Sequence, residues 1–281
     1  MLRQRIITAL LMLAILLPTV FYPSPVPFGV VALVLIAAGA WEWARMNQTS
    51  FGTAVAFGGL CAVLSGAAWW AGWLQAPMRG LWLAVGCGWV LLGVLLLRAG
   101  VCAWTPVPKS VRLIGGLVAL WTAWLAVAQA RTIGINFLFS VLVLVWVADI
   151  FAYFAGRTWG GKIFARKLAP SISPGKTWEG ALGGMLGVLV VAFVWRWADT
   201  AFAADSMSLY SLLWSRGAIV MVVAVMFMAA MSVVGDLVES LFKRSAGVKD
   251  SSTLLPGHGG VLDRVDALLP ILPLAMMLST V

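Results

Sequence analysis

The chain has 281 residues, of which 62% are hydrophobic and only 10% charged, with a mean hydropathy of +1.01 and a formal net charge of +9. A soluble domain carries roughly one-quarter charged residues, so a water-soluble globule is excluded and an integral membrane protein is indicated. The apolar runs continue over about 20 residues rather than alternating over about 10, which excludes a β-barrel and predicts an all-α, polytopic helical membrane protein.

About nine transmembrane helices are predicted, at 6–22, 26–45, 51–75, 80–98, 111–130, 134–154, 178–198, 217–242 and 262–280. The first follows Arg3 and Arg5 and resembles a signal peptide, but "PTVFYPSP" offers no small-x-small cleavage site, so it reads as an uncleaved anchor. Sixteen Trp suit membrane interfaces and helix contacts. Cys61, Cys87 and Cys102 show neither a CxxC nor a partner spacing. Packing inside the bundle is the expected role of the first two.

Charge sets the orientation. With the N-terminus cytoplasmic, 15 of the 19 Lys and Arg fall on the cytoplasmic side, and only Arg79, Arg131, Arg196 and Arg216 fall on the other. The basic surplus suits anionic lipid headgroups or phosphates, and no nucleic-acid partner is expected. The same residues also serve as plain topology signals.

The chain changes character near residue 135. Before it the only acidic residue is Glu42, and residues 1–134 read as an N-terminal transmembrane scaffold. Residues 135–281 hold the other nine acidic residues and both long polar loops, and read as the catalytic region.

Three polar clusters stand there. In "ADIFAYFAGRTWGGK", Asp149, Tyr153 and Gly156 share a helix face, and an acid inside an apolar span indicates a site unless a neighbouring helix pairs it for structure alone. Gly156, Gly160 and Gly161, interleaved with Arg157 and Lys162, would let backbone N–H groups approach a phosphate. In "SISPGKTWEG", Ser173 and Pro174 suggest a helix start, with Lys176, Thr177 and Glu179 in the first turns. "GKT" is not a Walker A site, because Pro170 stands where that pattern needs Gly. Gly180, Gly183, Gly184 and Gly187 suggest tight helix packing. The third cluster joins Asp236, Glu239, Ser240 and Lys243, one face of the eighth span, to Asp263 and Asp266 across the turn-forming "PGHGG". Carboxylates so placed favour Mg²⁺ and its phosphates, and the basic loops argue against a cation pathway.

The run Ser240-Leu-Phe-Lys243-Arg244, four residues, Lys249-Asp250, then Pro256-Gly-His258-Gly-Gly-Val-Leu-Asp263-Arg264-Val-Asp266 resembles the signature of the phosphatidate cytidylyltransferase (CDP-diacylglycerol synthase) family. The stretches around Asp149, Tyr153, Arg157 and Lys162, and around Lys176, Thr177 and Glu179, resemble further family motifs. The resemblance implies a transferase that converts CTP and phosphatidate to CDP-diacylglycerol and pyrophosphate with Mg²⁺, in the inner membrane of a bacterium, with the active site facing the cytoplasm. It also implies a monovalent cation such as K⁺ beside Mg²⁺, and a homodimer.

In that frame Asp263 and Asp236, then Asp266 and Glu239, are the expected metal ligands. Lys243, Arg244, Lys249, Arg264 and Lys176 are expected at substrate phosphates, with Arg157, Ser240 and Tyr153 also lining the substrate site. Asp263, Asp236, Lys243, Lys249 and His258 are the catalytic candidates. His258 either contacts a phosphate or the leaving group, or serves as a structural hydrogen-bonding residue. Two other readings stay open: a transporter of a nucleotide or lipid phosphate, and a CTP transferase for another lipid acceptor such as an isoprenoid ether lipid.

Overall fold

The computed structural model describes residues 2–202 and 204–280; Val281, the end of the predicted catalytic region, lies outside the described residues. The chain is built from α1 (Leu2–Phe21), α2 (Val26–Met46), α3 (Phe51–Trp70), α4 (Arg79–Ala99), α5 (Val101–Trp104), α6 (Lys109–Ile133), α7 (Ile135–Trp159), α8 (Trp178–Ala201), α9 (Leu209–Ser215), α10 (Ala218–Ser245), α11 (Leu262–Val265) and α12 (Leu268–Thr280). Among the described residues the only β pairing is two isolated bridges, Ala169 with Ser173 and Leu255 with Gly259.

Eight helices, α1 to α4, α6, α7, α8 and α10, are long and apolar enough to cross a membrane. Their outward faces stay greasy: Leu10 is 60% exposed, Val63 68% and Ile219 79%. Such a surface is untenable in water and ordinary against lipid tails. The chain is therefore a multi-pass membrane protein with an all-α fold.

The predicted ninth span departs from the rest. In a continuous helix the Pro270 ring would collide with the carbonyl of residue 266, and the chain breaks there, at Asp266 and Ala267. The 13 residues of α12 reach only about 20 Å, short of the roughly 30 Å hydrocarbon thickness. Leu269 to Met276 are all buried, because α12 is packed among α4, α6 and α10 and meets protein rather than lipid.

Two close approaches position the site. Glycines let α8 lie directly on α7: a Cβ on Gly183 would stand 2.2 Å from the Ala155 Cβ, so the predicted packing role of this stripe holds. Gly235 does the same for α10 and the turn before α12, where a Cβ would stand 2.9 Å from the Asp266 carbonyl oxygen and 2.7 Å from the Pro270 ring. That contact sets Asp236 beside Asp266.

The 28 residues of α10 span about 42 Å, so about 12 Å, or eight residues, exceed the hydrocarbon layer. Its charged residues, Asp236, Glu239, Lys243 and Arg244, lie toward the C-terminal end. Polar contacts accordingly collect at two ends of the bundle. One end, called the near end here, holds the start of α1, the ends of α2, α7 and α10, and the loops around residues 160–177 and 246–261. The far end holds Arg131, whose guanidinium donates to the Val20 and Tyr22 carbonyls (2.9 and 2.6 Å), and Gln129, which donates to Trp73 (2.5 Å). Cys61 is buried as expected, but Cys87 is exposed on α4, so its expected packing role inside the bundle is corrected. Position 87 falls on the outward face of that helix, where a small apolar thiol is as acceptable to lipid as to a core.

Candidate active site

The end of α10 supplies the centre. Asp236, Glu239, Ser240 and Lys243 form one helix face, as their spacing predicts. The Ser240 hydroxyl donates to Asp236 Oδ1 at 3.3 Å, and the Lys243 ammonium pairs with Glu239 one turn back. The same ammonium reaches Asp263 Oδ1 at 2.6 Å, tying α10 to α11. On the other side Lys176, from the loop before α8, reaches Asp236 Oδ2 at 2.5 Å. Asp149, Asp236 and Asp266 stand close enough to repel one another. Three clusters scattered over more than a hundred residues thus meet at one end of the bundle.

Each of these carboxylates has a different environment. Glu239 is almost completely buried, and neither of its oxygens has a hydrogen-bond partner beyond the ion-pair contact with Lys243. Asp263 is divided. Oδ1 faces Lys243, whereas Oδ2 accepts from the Ser251 N–H (2.9 Å), the Ser251 hydroxyl (2.9 Å) and the Gly260 N–H (2.8 Å). Burial pushes the Asp263 carboxyl up, but the Lys243 ammonium and the two N–H groups outweigh it and hold it below the usual aspartate range. Asp266 Oδ1 accepts from the Ala267 N–H at 2.7 Å.

Other expected site residues frame this centre without joining it. Tyr153 and Arg157 are exposed and bonded to each other, the guanidinium donating to the phenol oxygen at 2.7 Å. Lys249 and Arg264 are exposed on the signature loop and on α11. Arg244 donates to the Ile172 and Val248 carbonyls at 3.4 Å, bracing two loops. His258 is half-buried in the turn made by left-handed Gly257 (φ 77°) and Gly259 (φ 84°), and its Nδ1 is buried without a partner.

Two expectations about the neighbouring loop are corrected. The cap of α8 is Thr177, whose hydroxyl accepts from the Gly180 N–H at 3.1 Å, not Ser173; residues 169–173 close a turn instead, with the Ser173 N–H on the Ala169 carbonyl. The glycine-rich loop does not present its N–H groups to a phosphate. Gly160 donates to Gly156 within the helix end, and Gly161, Ile163 and Phe164 all donate to Glu179 Oε1 at 3.0, 3.1 and 2.9 Å. One buried carboxylate satisfies three donors, so Glu179 shapes the loop from within.

A residue of the first half also reaches the site. Glu42, completely buried near the end of α2, accepts from Val261 and Leu262 backbone N–H groups and from the Ser251 and Ser252 hydroxyls. In α1, Arg5 donates to the Gly257 carbonyl and Thr8 to the Pro256 carbonyl, both at 2.9 Å. Glu42 is visible in sequence as the lone acid of the first half of the chain, set in an apolar run, a signal of a buried partner, but its partner is not visible there.

The far end offers volume without chemistry. A cavity of about 610 Å³ opens there, lined by residues such as Leu74, Gln75, Thr132, Met207 and Thr280, with no charged side chain. The paired charges and oxygen donors that hold polyanions stand at the near end instead.

The model of the cytidylyltransferase family matches residues 3–281. The chain is 39% identical to a protein named phosphatidate cytidylyltransferase from Pseudomonas aeruginosa, covering 97% of this chain and 95% of that one. It is 35% identical to one of the same name from Haemophilus influenzae (97% and 96% covered) and 33% identical to one from Brucella abortus (95% and 89%). With the signature residues gathered at one end of a helical membrane bundle and the match running through all but the first two residues, the chain belongs to the cytidylyltransferase family.

Proposed function

We propose that this chain transfers the cytidylyl group of CTP to phosphatidate, giving CDP-diacylglycerol and pyrophosphate. The observation that carries this reading is the meeting of Lys176–Asp236 with Lys243–Glu239–Asp263 at the end of α10, next to lipid-facing helix surfaces. The site has basic groups for two polyanions and lies where a lipid headgroup arrives.

The chemistry needs little from the protein beyond placement and charge. Phosphatidate carries its own anionic nucleophile, so no Ser or Cys has to be activated. One of its phosphate oxygens forms a bond to the α-phosphorus of CTP. The bond from that phosphorus to the α,β-bridging oxygen breaks, and its electron pair leaves with pyrophosphate. Holding the two phosphates in line and neutralising the leaving group are the protein's tasks. Lys176 and Lys243 are the buried-side donors for this, with Lys249, Arg264 and Arg157 at the exposed rim. Ser240, Tyr153 and His258 complete the lining, and Arg244 acts through the loops it braces.

The carboxylates fit Mg²⁺ by donor type: all are hard oxygen ligands, and the two buried oxygens of Glu239 have no partner besides the Lys243 ammonium. Among the described residues no three His, Cys, Asp or Glu are grouped as one ion would need; lysine ammonium groups stand between the carboxylates. Asp236 and Asp263, with Asp266 and Glu239, are the residues that would hold it. Mg²⁺ there would supply positive charge to the triphosphate and to the departing pyrophosphate. A monovalent cation such as K⁺ belongs to the same proposal.

We also place the near end in the cytoplasm of a bacterium, where CTP is made. The support is the distribution of 15 basic residues against 4.

The test is purified protein in detergent with CTP, phosphatidate and Mg²⁺, with and without K⁺, following pyrophosphate and labelled lipid. Release of both products in equal amounts is expected. No pyrophosphate under any of these conditions would overturn the reading, and transport of intact substrate into liposomes would put a transporter in its place. Release only with an isoprenoid ether lipid phosphate would move the acceptor class.

A further inference from the structure

The N-terminal helices do more than fill space. Both oxygens of the Glu42 carboxylate are fully used: Oε1 accepts from the Ser252 hydroxyl at 2.5 Å and the Val261 N–H at 2.9 Å, and Oε2 from the Leu262 N–H at 2.8 Å and the Ser251 hydroxyl at 3.2 Å. These donors sit 209 to 220 residues away, at the two ends of the signature loop. A carboxylate sealed from solvent is costly unless such donors surround it. Here they do, so the loop is folded around the carboxylate.

The single Ser251 hydroxyl proton is shared between two carboxylates, with Asp263 Oδ2 at 2.9 Å and Glu42 Oε2 at 3.2 Å. Gly260, whose N–H also holds Asp263, permits the arrangement. A Cβ there would stand 2.5 Å from Glu42 Oε1 and 2.0 Å from the Ser251 hydroxyl oxygen. From Glu42 to Asp263 runs one short path: carboxylate, Ser251, carboxylate, with Gly260 pressed against both ends. Asp263 keeps Oδ2 locked in this path and so directs Oδ1 toward Lys243 and the centre.

We infer that Glu42, from the transmembrane scaffold, is a positioning residue for transfer: it fixes the signature loop from beneath, and thereby the direction in which Asp263 presents Oδ1, the oxygen that faces Lys243. This rests on the reading of Asp263 as a site residue. Glu42 touches neither substrate nor metal and acts only through Ser251, Gly260 and the start of α11.

Three variants test it side by side: Glu42→Gln, which places an amide N–H₂ among four donors, Ser252→Ala, which removes one donor only, and Asp263→Asn. In folded Glu42→Gln, judged by size exclusion and melting, the half-saturating Mg²⁺ concentration should rise by about tenfold and kcat fall by about tenfold or more, with KM for CTP at saturating Mg²⁺ changing less than about twofold. Direct Mn²⁺ binding by electron paramagnetic resonance should weaken in parallel, and amide exchange should accelerate in the 251–262 peptide. Ser252→Ala should shift Mg²⁺ dependence in the same direction by a few-fold at near wild-type melting; it carries the test if Glu42→Gln fails to fold. Unchanged Mg²⁺ dependence and kcat in either folded variant overturns the inference, as does a loss matched entirely by less folded protein. If Asp263→Asn itself turns over normally, the assignment of Asp263 fails, whatever Glu42 does.

Discussion

The two ends of the bundle treat acidic residues in opposite ways. At the far end Asp205 accepts the Ile135 and Asn136 N–H groups (2.9 and 3.1 Å), capping the start of α7. Asp199 accepts from Asn136 at 2.9 Å and from the Ser208 and Ser211 hydroxyls at 2.5 Å. Every acceptor there is occupied by short, locally anchored donors. At the near end Asp236, Glu239 and one oxygen of Asp263 face lysine ammonium groups on long, movable stems. A carboxylate held by backbone N–H and hydroxyl groups is part of the architecture, because those donors cannot leave without unfolding something. One that faces lysine can exchange its partner for a metal ion or release the lysine to a phosphate. By the same measure Glu42 and Glu179, though at the near end, are architectural, and Asp263 has one oxygen of each kind.

That contrast can be broken or sharpened in four experiments. The largest effect is all-or-none and concerns which end faces which compartment. In a background lacking the three native cysteines, a membrane-impermeant thiol reagent on intact cells should label Gln75→Cys at the far end and spare Asp250→Cys at the near end. Labelling of position 250 would reverse the topology and the side of substrate entry together.

Next is Asp263→Asn. The amide oxygen can keep accepting from Gly260 and Ser251, while the charge facing Lys243 is lost. Turnover should fall by at least about a hundredfold, the scale of a deleted transition-state charge contact, with the folded fraction preserved. Near wild-type turnover across a Mg²⁺ titration would return Asp263 to a purely architectural role.

Lys176→Met comes third. If Lys176 serves phosphate as well as Asp236, kcat/KM for one of the two substrates should drop by about tenfold, the worth of one charge-assisted bond. An unchanged kcat/KM accompanied by a lower melting temperature would make the Lys176–Asp236 pair a strut.

The smallest effect is at the far end. Asp199→Asn should cost about 1–2 kcal/mol of stability through the disturbed serine bonds and leave turnover per folded molecule unchanged. A selective loss of turnover there would undo the division between the two ends.

Much of the molecule is legible in its residues. The spans are long apolar runs, and the hydrophobic requirement of a bilayer writes itself directly into composition. Eight of the nine predicted spans are long helices whose ends lie within a few residues of those expected. The ninth is shorter because Pro270 interrupts the helix and neighbours cover α12, a circumstance hydropathy does not register. The faces of α10 and the glycine stripe of α8 were equally readable, since helical periodicity is local. The loops were not. The fate of the Gly160–Phe164 segment depends on Glu179, 15 to 18 residues further on and across a helix end. Its glycines are as compatible with a phosphate cradle as with a loop folded on its own carboxylate.

The amino-acid sequence by itself determined that this protein lives in a membrane, where its helices run, and which end collects charge, because each follows from transfer free energy and spacing along the chain. The signature spacing also declared the family. Only the tertiary structure decided which acids are spent on backbone and hydroxyl donors and which face lysine, because a hydrogen bond between residues more than two hundred apart leaves no periodic trace. Glu42 is the clearest case: in sequence it is a lone acid in a greasy helix, and in the fold its two oxygens hold the loop that ends at Asp263.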